Sequence, residues 1–594
     1  MMQSLDLNQV SLDGEFGRRV DAIIEENILK IDVEEAFLSE FRRTNEVPVG
    51  SFGRYLGFGK FIDAVVRLAA GTRDERLLTL KKRTISELLA TQEADGYLGA
   101  FADSKMRVEY LHDLHEGAYL IWALVSDYRL FRERASLQAA QRLADFFIGK
   151  FTENPALRVY KPMDITFHPV ASVGWDRALL ALSEVSGEAK YRNFAIDVVR
   201  VPDYVPPINT GTTAWTNHVY SQLSYCLAQL DLYRQKPDPR LLTSTRRVVD
   251  FLCHGGEGLL VTGSCSLWEC WHDNQSGGDN LSETCAGVYL ARLMEAMLQI
   301  EGNSLYGDIL ERTIYNALFA ATSPDGSRSR YFTPFEGERP YDAAAPRYCC
   351  ANNNKRFLGD LRSWMYYRTE QGVAVNLYNA STATLDINGS VKLRLEQQTN
   401  YPSSGNVLLK IDPSEDAHFE VKLRIPRWCQ EATISINGSR SASVAGGQFY
   451  GLERRWKEGD SIELKMPMEW RFIRGRRAQE GRAAILRGPV IFTFNPERNT
   501  ELSTRSGFDA RLLKIHPGEI DPPTIDESVR PGGVSCQIKV WPPGVQPWPI
   551  VPRVPLVLSE YPDPGGRAIY FTVPGEGKLL LVQDELISVG HSRS

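Results

Sequence analysis

The sequence predicts an α+β multidomain chain, a toroid of paired helices followed by β-sandwich domains, and three observations carry the prediction. Apolar residues recur with helical spacing from about residue 57 to 370, a short pattern repeats within that stretch, and beyond Gly372 the period changes to two. A single small module is excluded, because 594 residues correspond to about four domains of ordinary size.

In the first part Leu80, Ile85, Leu88 and Leu89 share one helix face, as do Leu290, Leu293, Met294, Met297 and Leu298, and Ile309, Leu310, Thr313 and Leu318. The repeat reads DERLLTLKKR at 74, ERASLQAAQR at 133, GEAKYRNFAID at 187, DPRLLTSTRR at 238 and NSLYGDILER at 303. Its intervals of about 50 to 65 residues fit two-helix hairpins with their loops, so five to six pairs precede residue 370. That number suits a closed ring, although an open superhelix would show the same period.

Farther along, Phe419, Val421, Leu423 and Ile425 alternate with Glu420, Lys422 and Arg424, and Ile462, Leu464 and Met466 alternate with Glu463 and Lys465. These are half-buried strands, with Asn388-Gly389 and Asn437-Gly438 as turn signals. Eight prolines between Pro542 and Pro564 predict an extended covering segment rather than a central strand, ahead of a last strand pair near Ala568–Val582. The expected division is 1–370 for the helical barrel, 371–495 for a β-sandwich and 496–594 for a C-terminal β-rich domain.

Composition narrows the function classes. Lys and Arg number 68 against 74 Asp and Glu, a net charge of -6 that leaves no basic surplus for nucleic acid. No apolar run is long enough to span a membrane. Residues 1–19 lack a basic segment followed by an apolar one, so a cytoplasmic location is expected. The nine cysteines are odd in number and sparse, which argues against a disulfide framework. Oligomeric state stays open, with a homodimer among the options.

Six cysteines crowd between 253 and 350, in GSCSLWECW (263–271), SETC (282–285) and YCC (348–350) among other positions. In a reducing compartment closely spaced thiols favour a metal, and zinc accepts a tetrahedral mix of sulfur, nitrogen and oxygen. Glu283, Cys285, Cys349 and Cys350 could form such a site, the alternative being small cysteines packed between helices. Ser282 reads as an N-cap, which sets Glu283 and Cys285 in the first turn of a helix. Cys349-Cys350 reads as a loop before a helix opening around Asn353, so two helix starts could meet at one end of the ring. Glu269, between Trp268 and Trp271, has a setting in which desolvation raises a carboxyl pKa toward general-acid work; a surface or capping glutamate is the alternative. Histidines 112, 115, 168, 218, 254 and 272, with Trp215, Trp268 and Trp271, suit a sugar pocket, a structural role being the alternative for each histidine.

The runs VTGSCSLWECW, LSETCAG, YGDILERTIYNALFAATSPDGSRSRYF and YCCANNNKRFLGDL resemble glycoside hydrolase family 127, the β-L-arabinofuranosidases. LLATQEADGYLGAF (88–101) and HDLHEGAYLIWAL (112–124) extend the likeness upstream, and FEVKLRIPRW, ERRWKEGDSIELKMPM and AAILRGPVIF extend it downstream, over about residues 50 to 495. The resemblance implies an (α/α)6 barrel followed by β-sandwich domains. It also implies Zn2+ held by Glu283, Cys285, Cys349 and Cys350, with Cys349 as nucleophile, Glu269 as acid/base, and His168 and His218 against the sugar hydroxyls. The implied activity is that of a retaining exo-glycosidase on an oligosaccharide or glycoside. Three departures concern the sugar's surroundings: Trp268 replaces a small residue, Tyr119 stands where relatives have a histidine, and CCANN replaces CCPPN. Tyr119 and Trp268 therefore join the substrate-binding candidates. Two other readings stand beside this one, a polysaccharide lyase on a similar scaffold with a Tyr or His base, and a non-catalytic carbohydrate-binding protein with structural zinc.

Overall fold

The computed structural model describes residues 1–42, 57–102, 107–108, 113–154, 173–210, 217–255, 257–342, 348–387, 389–542 and 553–587. Its helices of nine residues or more are α1 (Gly14–Glu26), α2 (Phe58–Thr72), α3 (Glu75–Leu89), α4 (Asp113–Phe131), α5 (Arg134–Glu153) and α6 (Trp175–Ser186), then α7 (Ala189–Asp197), α8 (Val219–Gln235), α9 (Thr243–Cys253), α10 (Thr284–Glu301), α11 (Ser304–Thr313) and α12 (Cys349–Met365). Every copy of the sequence repeat opens an outer helix: α3, α5, α7, α9 through the 3-10 turn Pro239–Leu242, and α11. Polar residues at three of these starts act as caps, Asp74, Asp238 and Asn303 accepting from the backbone N–H of Arg76, Arg240 and Leu305.

Inner helices α2, α4, α6, α8, α10 and α12 pack each against the next, and α12 packs back on α2. The ring is therefore closed, an (α/α)6 barrel, and α1 lies against α12 as the sixth outer helix. Buried ion pairs fix the closure. Arg356 on α12 reaches Asp63 on α2 at 2.6 Å, Arg67 on α2 reaches Asp360 on α12 at 2.8 Å, and Arg292 on α10 reaches Asp360 at 2.8 Å. Burial alone would raise the Asp63 carboxyl, but Arg67 and Arg356 hold it well below the usual carboxylate range. Gly59 lets α2 approach α4 closely, since a Cβ there would lie 2.4 Å from the Tyr119 carbonyl carbon. No helix among the described residues is long and apolar enough to cross a membrane.

The period of two is realised in three sheets. Strands β1 (Gln3–Ser4), β3 (Tyr366–Arg368), β4 (Gly372–Val375), β8 (Ala417–Ile425) and β11 (Gln448–Trp456) form the first. The second runs β10 (Ser439–Ala445), β9 (Glu431–Ile436), β12 (Asp460–Lys465), β7 (Asn406–Pro413), β6 (Val391–Thr399), β5 (Ser381–Ile387) and β2 (Val10–Leu12). The chain's first residues thus lend one strand to each of these sheets. Asn437 and Gly438, at φ 51° and 78°, make the two-residue turn between β9 and β10; Asn388 lies outside the described residues.

The third sheet contains β13 (Trp470–Arg474), β14 (Arg482–Arg487), β15 (Val490–Phe494), β16 (Lys514–Ile520), β17 (Thr524–Ile525), β18 (Val534–Trp541), β19 (Val554–Glu560) and β20 (Tyr570–Thr572), and β20 joins both β16 and β14. It draws strands from both sides of residue 495, because β15 pairs with β19. Of the proline-rich stretch, Pro543, Pro547, Pro549 and Pro552 lie outside the described residues, and the part from residue 553 onward differs from expectation. β19 is a central strand despite Pro555, because its ladder with β15 runs only from Leu558 to Glu560 and leaves Pro555 with β18 on one side alone. The expected last strand pair is instead β20 followed by a 3-10 helix, Gly575–Leu580.

Arg424 departs from the alternation of β8. It lies on the polar side yet is 0% exposed, because that face packs against α11, where its guanidinium meets Asp308 and, at 2.7 Å, Glu311. Burial pushes the Asp308 carboxyl up to about 7 even with Arg424 beside it. Arg424→Met would leave two buried carboxyls without their cation, and the expected loss is about 3–5 kcal/mol of stability. Chemical denaturation checks this; a loss below about 1 kcal/mol would show the pair to be dispensable.

Candidate active site

The cluster forms where α10 and α12 begin. Glu283 is the N-cap of α10, and Cys285 is the second residue of the helix. A regular helix does not turn residues two apart to one side, but the extended backbone at an N-cap can. Ser282, expected to be the cap, is held at φ 60° with its hydroxyl on Thr333 Oγ1 at 2.8 Å. Cys349 opens α12 itself, four residues before the expected start, and Tyr348 is its N-cap.

One ligand atom from each of Glu283, Cys285, Cys349 and Cys350 falls within 4.8 Å of all the others. Cys350 Sγ lies 3.2 Å from Cys285 Sγ, 3.6 Å from Glu283 Oε1 and 4.0 Å from Cys349 Sγ. A tetrahedral centre with ligands about 2.1–2.3 Å away separates them by about 3.5–3.8 Å, in the middle of this range. Glu283 Oε2 is buried with no hydrogen-bond partner. These four residues can hold a metal ion, and an orphaned carboxylate oxygen among three thiols fits a cation better than it fits packing alone.

The thiols are not equivalent. Cys285 and Cys350 are buried, whereas Cys349 is partly exposed. Hydrogen bonds from Cys285 and Cys350, then the charge of Lys60, hold the Cys349 thiol well below its ordinary range. Burial pushes Glu283, Cys285 and Cys350 well above theirs. The amide of Asn353, one turn along α12, donates to Cys285 Sγ at 3.1 Å.

Glu269 comes from the loop 257–282, whose backbone is unusual: Ser266, Trp268, Glu269, Asn280 and Ser282 have φ of 89°, 49°, 65°, 61° and 60°. Left-handed non-glycine residues concentrate where surrounding contacts over-determine the chain. Here Val219 N–H at the start of α8 donates to the Glu269 carbonyl at 2.8 Å, and the third sheet holds the rest through Ala478 N–H to Asn274 O at 2.9 Å and Gln479 Nε2 to Gln275 O at 3.1 Å. The Glu269 carboxylate accepts from the Tyr331 hydroxyl and lies 3.4 Å from His218 Nε2. His218, Glu269 and Glu283 also gather within 4.8 Å, so the carboxyl and the thiol cluster are contiguous.

The tryptophans flanking Glu269 do not enclose it together. Trp271 is buried against Phe251 and donates to Gln222 Oε1 at 2.6 Å, while Trp268 is 59% exposed. Tyr119 lies in the ring's interior, 2% exposed, its hydroxyl 2.5 Å from those of both Tyr220 and Tyr289. Lys60 and Arg356 stand over its ring. The polar end of Tyr119 is thus taken up within the ring. In that triad the charges of Arg356, Arg292 and Lys60 outweigh burial and bring the Tyr289 phenol down to about 8. His168, with His112 and Trp215, lies outside the described residues.

Sequence reasoning missed Tyr331, whose hydroxyl touches Glu269 and lies 4.0 Å from Cys349 Sγ. Nothing local marks it. Asn353 was findable, since it follows Cys350 by three positions and shares its helix face.

The profile of the β-L-arabinofuranosidase GH127 catalytic domain matches residues 33–362, and that of the GH127 middle domain matches residues 372–468. The chain belongs to glycoside hydrolase family 127. A family relative, the non-reducing end β-L-arabinofuranosidase of Bifidobacterium longum subsp. longum, is 23% identical over 502 residues, 73% of this chain and 74% of its own. Among solved structures, a GH127 β-L-arabinofuranosidase from Geobacillus stearothermophilus T6 superposes with a TM-score of 0.77 at 20% identity, covering 95% of this chain and 100% of its own. A further GH127 β-arabinofuranosidase gives a TM-score of 0.80 at 20% identity, covering 97% and 98%. Membership in this family makes the chain a glycoside hydrolase and sets aside both the lyase and the non-catalytic reading.

Proposed function

We propose that the chain is a retaining, exo-acting β-L-arabinofuranosidase-like enzyme in which Cys349 is the nucleophile and Glu269 the acid/base. The observation that carries this reading is the exposure of Cys349: of the three clustered thiols it alone is partly exposed, and it shares the Tyr331 hydroxyl with the carboxyl that would serve the leaving group. Zinc held by Glu283, Cys285, Cys349 and Cys350 would supply a Lewis acid that keeps the thiols deprotonated.

Cys349 Sγ attacks the anomeric carbon, the glycosidic C–O bond breaks, and Glu269 gives its proton to the departing oxygen. Glu269 then takes a proton from water, whose oxygen displaces sulfur from the opposite side, so configuration is retained after two inversions. His218, 3.4 Å from the second carboxylate oxygen, fixes the direction in which Glu269 presents its proton. Trp268 adjoins Glu269 at the surface, where the leaving group would depart, and is the candidate platform for it. The relatives' names favour a non-reducing-end β-L-arabinofuranosyl residue or a related five-carbon sugar. All nine cysteines are free thiols, which suits a reducing, cytoplasmic setting.

A panel of para-nitrophenyl and natural pentosides, read together with metal analysis, tests the proposal. The expected result is hydrolysis of β-L-arabinofuranosides with retention and about one zinc per chain, with activity lost on chelation and restored by zinc. Full activity in a metal-free preparation would overturn it.

A further inference from the structure

Tyr331 lies between the two groups that exchange charge in the proposed cycle. Its hydroxyl meets Glu269 Oε1 on one side and stands 4.0 Å from Cys349 Sγ on the other. The segment that carries it is held on both flanks. The Tyr331 carbonyl accepts from Thr284 N–H at 2.9 Å, Thr284 Oγ1 donates to Arg330 O at 2.9 Å, and Phe332 bridges to Glu283. From the third sheet, the Tyr561 hydroxyl donates to Thr333 O at 2.7 Å. The phenol is thus placed by the same helix start that carries Glu283 and Cys285, and by the same sheet that supports the Glu269 loop.

We propose that the Tyr331 hydroxyl is a switching donor that follows the negative charge between Cys349 and Glu269. The inference rests on the nucleophile and acid/base roles proposed above. Before reaction the charge is on the Cys349 thiolate and Glu269 carries a proton, so Tyr331 donates toward sulfur and accepts from the carboxylic acid. When the sulfur pair forms the C–S bond, the C–O pair leaves with oxygen and takes the Glu269 proton. The charge is now on the carboxylate, and the Tyr331 O–H turns to it. In the second step water gives a proton to Glu269 and its oxygen to the anomeric carbon, the C–S pair returns to sulfur, and the O–H turns back. Tyr331 gains and loses no proton over the cycle. A hydrogen bond to a charged group contributes about 1.5–3 kcal/mol, and only the part gained between reactant and transition state counts toward rate, so about 150-fold is the upper bound for each half-reaction.

Tyr331→Phe keeps the ring that packs on Phe332 and Tyr348 and removes only the hydroxyl. kcat/KM for an alkyl pentoside, whose leaving oxygen takes the Glu269 proton, reports attack by sulfur, and kcat for an activated aryl pentoside reports release of sulfur from the adduct. Both are expected to fall, by at most about 150-fold, at wild-type zinc content and thermal stability. Combined with Glu269→Gln, Tyr331→Phe is expected to slow the release of sulfur further, whereas a tyrosine that merely orients Glu269 would add no loss once that carboxyl is gone. That pattern, or wild-type rates in both steps, overturns the switch. Mass spectrometry of the trapped enzyme keeps the two proposals apart. If the Cys349 glycosyl adduct forms but the Phe variant is unimpaired, the switch alone fails. If no adduct forms on Cys349 in the wild type, the nucleophile assignment fails and the switch fails with it.

Discussion

Cys349→Ser is expected to abolish turnover, by about 10^4-fold or more in kcat, while leaving the fold and most of the bound metal in place. Serine keeps the shape of the side chain but gives up the polarizable, readily deprotonated sulfur, and its alkoxide is inaccessible near neutral pH. Glu283, Cys285 and Cys350 remain as three protein ligands. Cys350→Ser is the instructive comparison. Cys350 is 1% exposed and touches Cys285 and Glu283, so its loss should weaken metal binding and stability together. Zinc stoichiometry, thermal unfolding and kcat measured on both variants check this. If Cys349→Ser lost metal and fold as Cys350→Ser does, with residual activity proportional to residual zinc, the cluster would be structural and the nucleophile would lie elsewhere.

Glu269→Gln is expected to lower kcat/KM by about 10^2–10^4-fold for substrates with poorly acidic alcohols as leaving groups, and by less than about tenfold for nitrophenyl glycosides. A nitrophenolate departs without a proton, so the first step tolerates the amide. The second step still lacks its base, and the covalent adduct should therefore accumulate with activated substrates. Rate against leaving-group pKa gives the measurement, a steep slope in the variant against a shallow one in the wild type. Equal losses across the series would remove Glu269 from the acid/base role. Its neighbours make the assignment specific, since the carboxylate is held between the Tyr331 hydroxyl and His218 Nε2 and directly adjoins the thiol cluster.

Much of the fold was legible because its signals are local. The repeat DERLLTLKKR and its four counterparts mark outer helices through capping residues and a 3.6-residue period, both properties of a few consecutive residues. The change of period after Gly372 and the Asn437-Gly438 turn are equally local. Of the site, SETC and YCC announced clustered ligands, and their positions at helix starts told where a ring could bring them together. Closure of that ring was implied by the family resemblance and not by the spacing, since it depends on α12 returning to α2 through Arg356 and Asp63, 293 residues apart.

The errors have a common source. Arg424 looked solvent-facing, and Pro555 looked incompatible with a central strand. Each assignment assumed that the side chain meets water or ligand on the face its sequence pattern leaves open. In the folded chain α11 covers Arg424 and β15 stops short of Pro555.

The sequence by itself determined the paired helices and β architecture, the family, and the four residues that gather as a candidate metal site, because periodicity and motif identity are carried by neighbouring residues. Tertiary structure alone decided which thiol stands open, that Glu269 sits between His218 and Tyr331, and that the third sheet supports the loops holding both Glu269 and Tyr331. Those facts depend on contacts such as Tyr331 with Glu269, 62 residues apart, and Tyr561 with Thr333, 228 apart. Contacts at such separation exist only after the ring has closed and the sheets have docked on it.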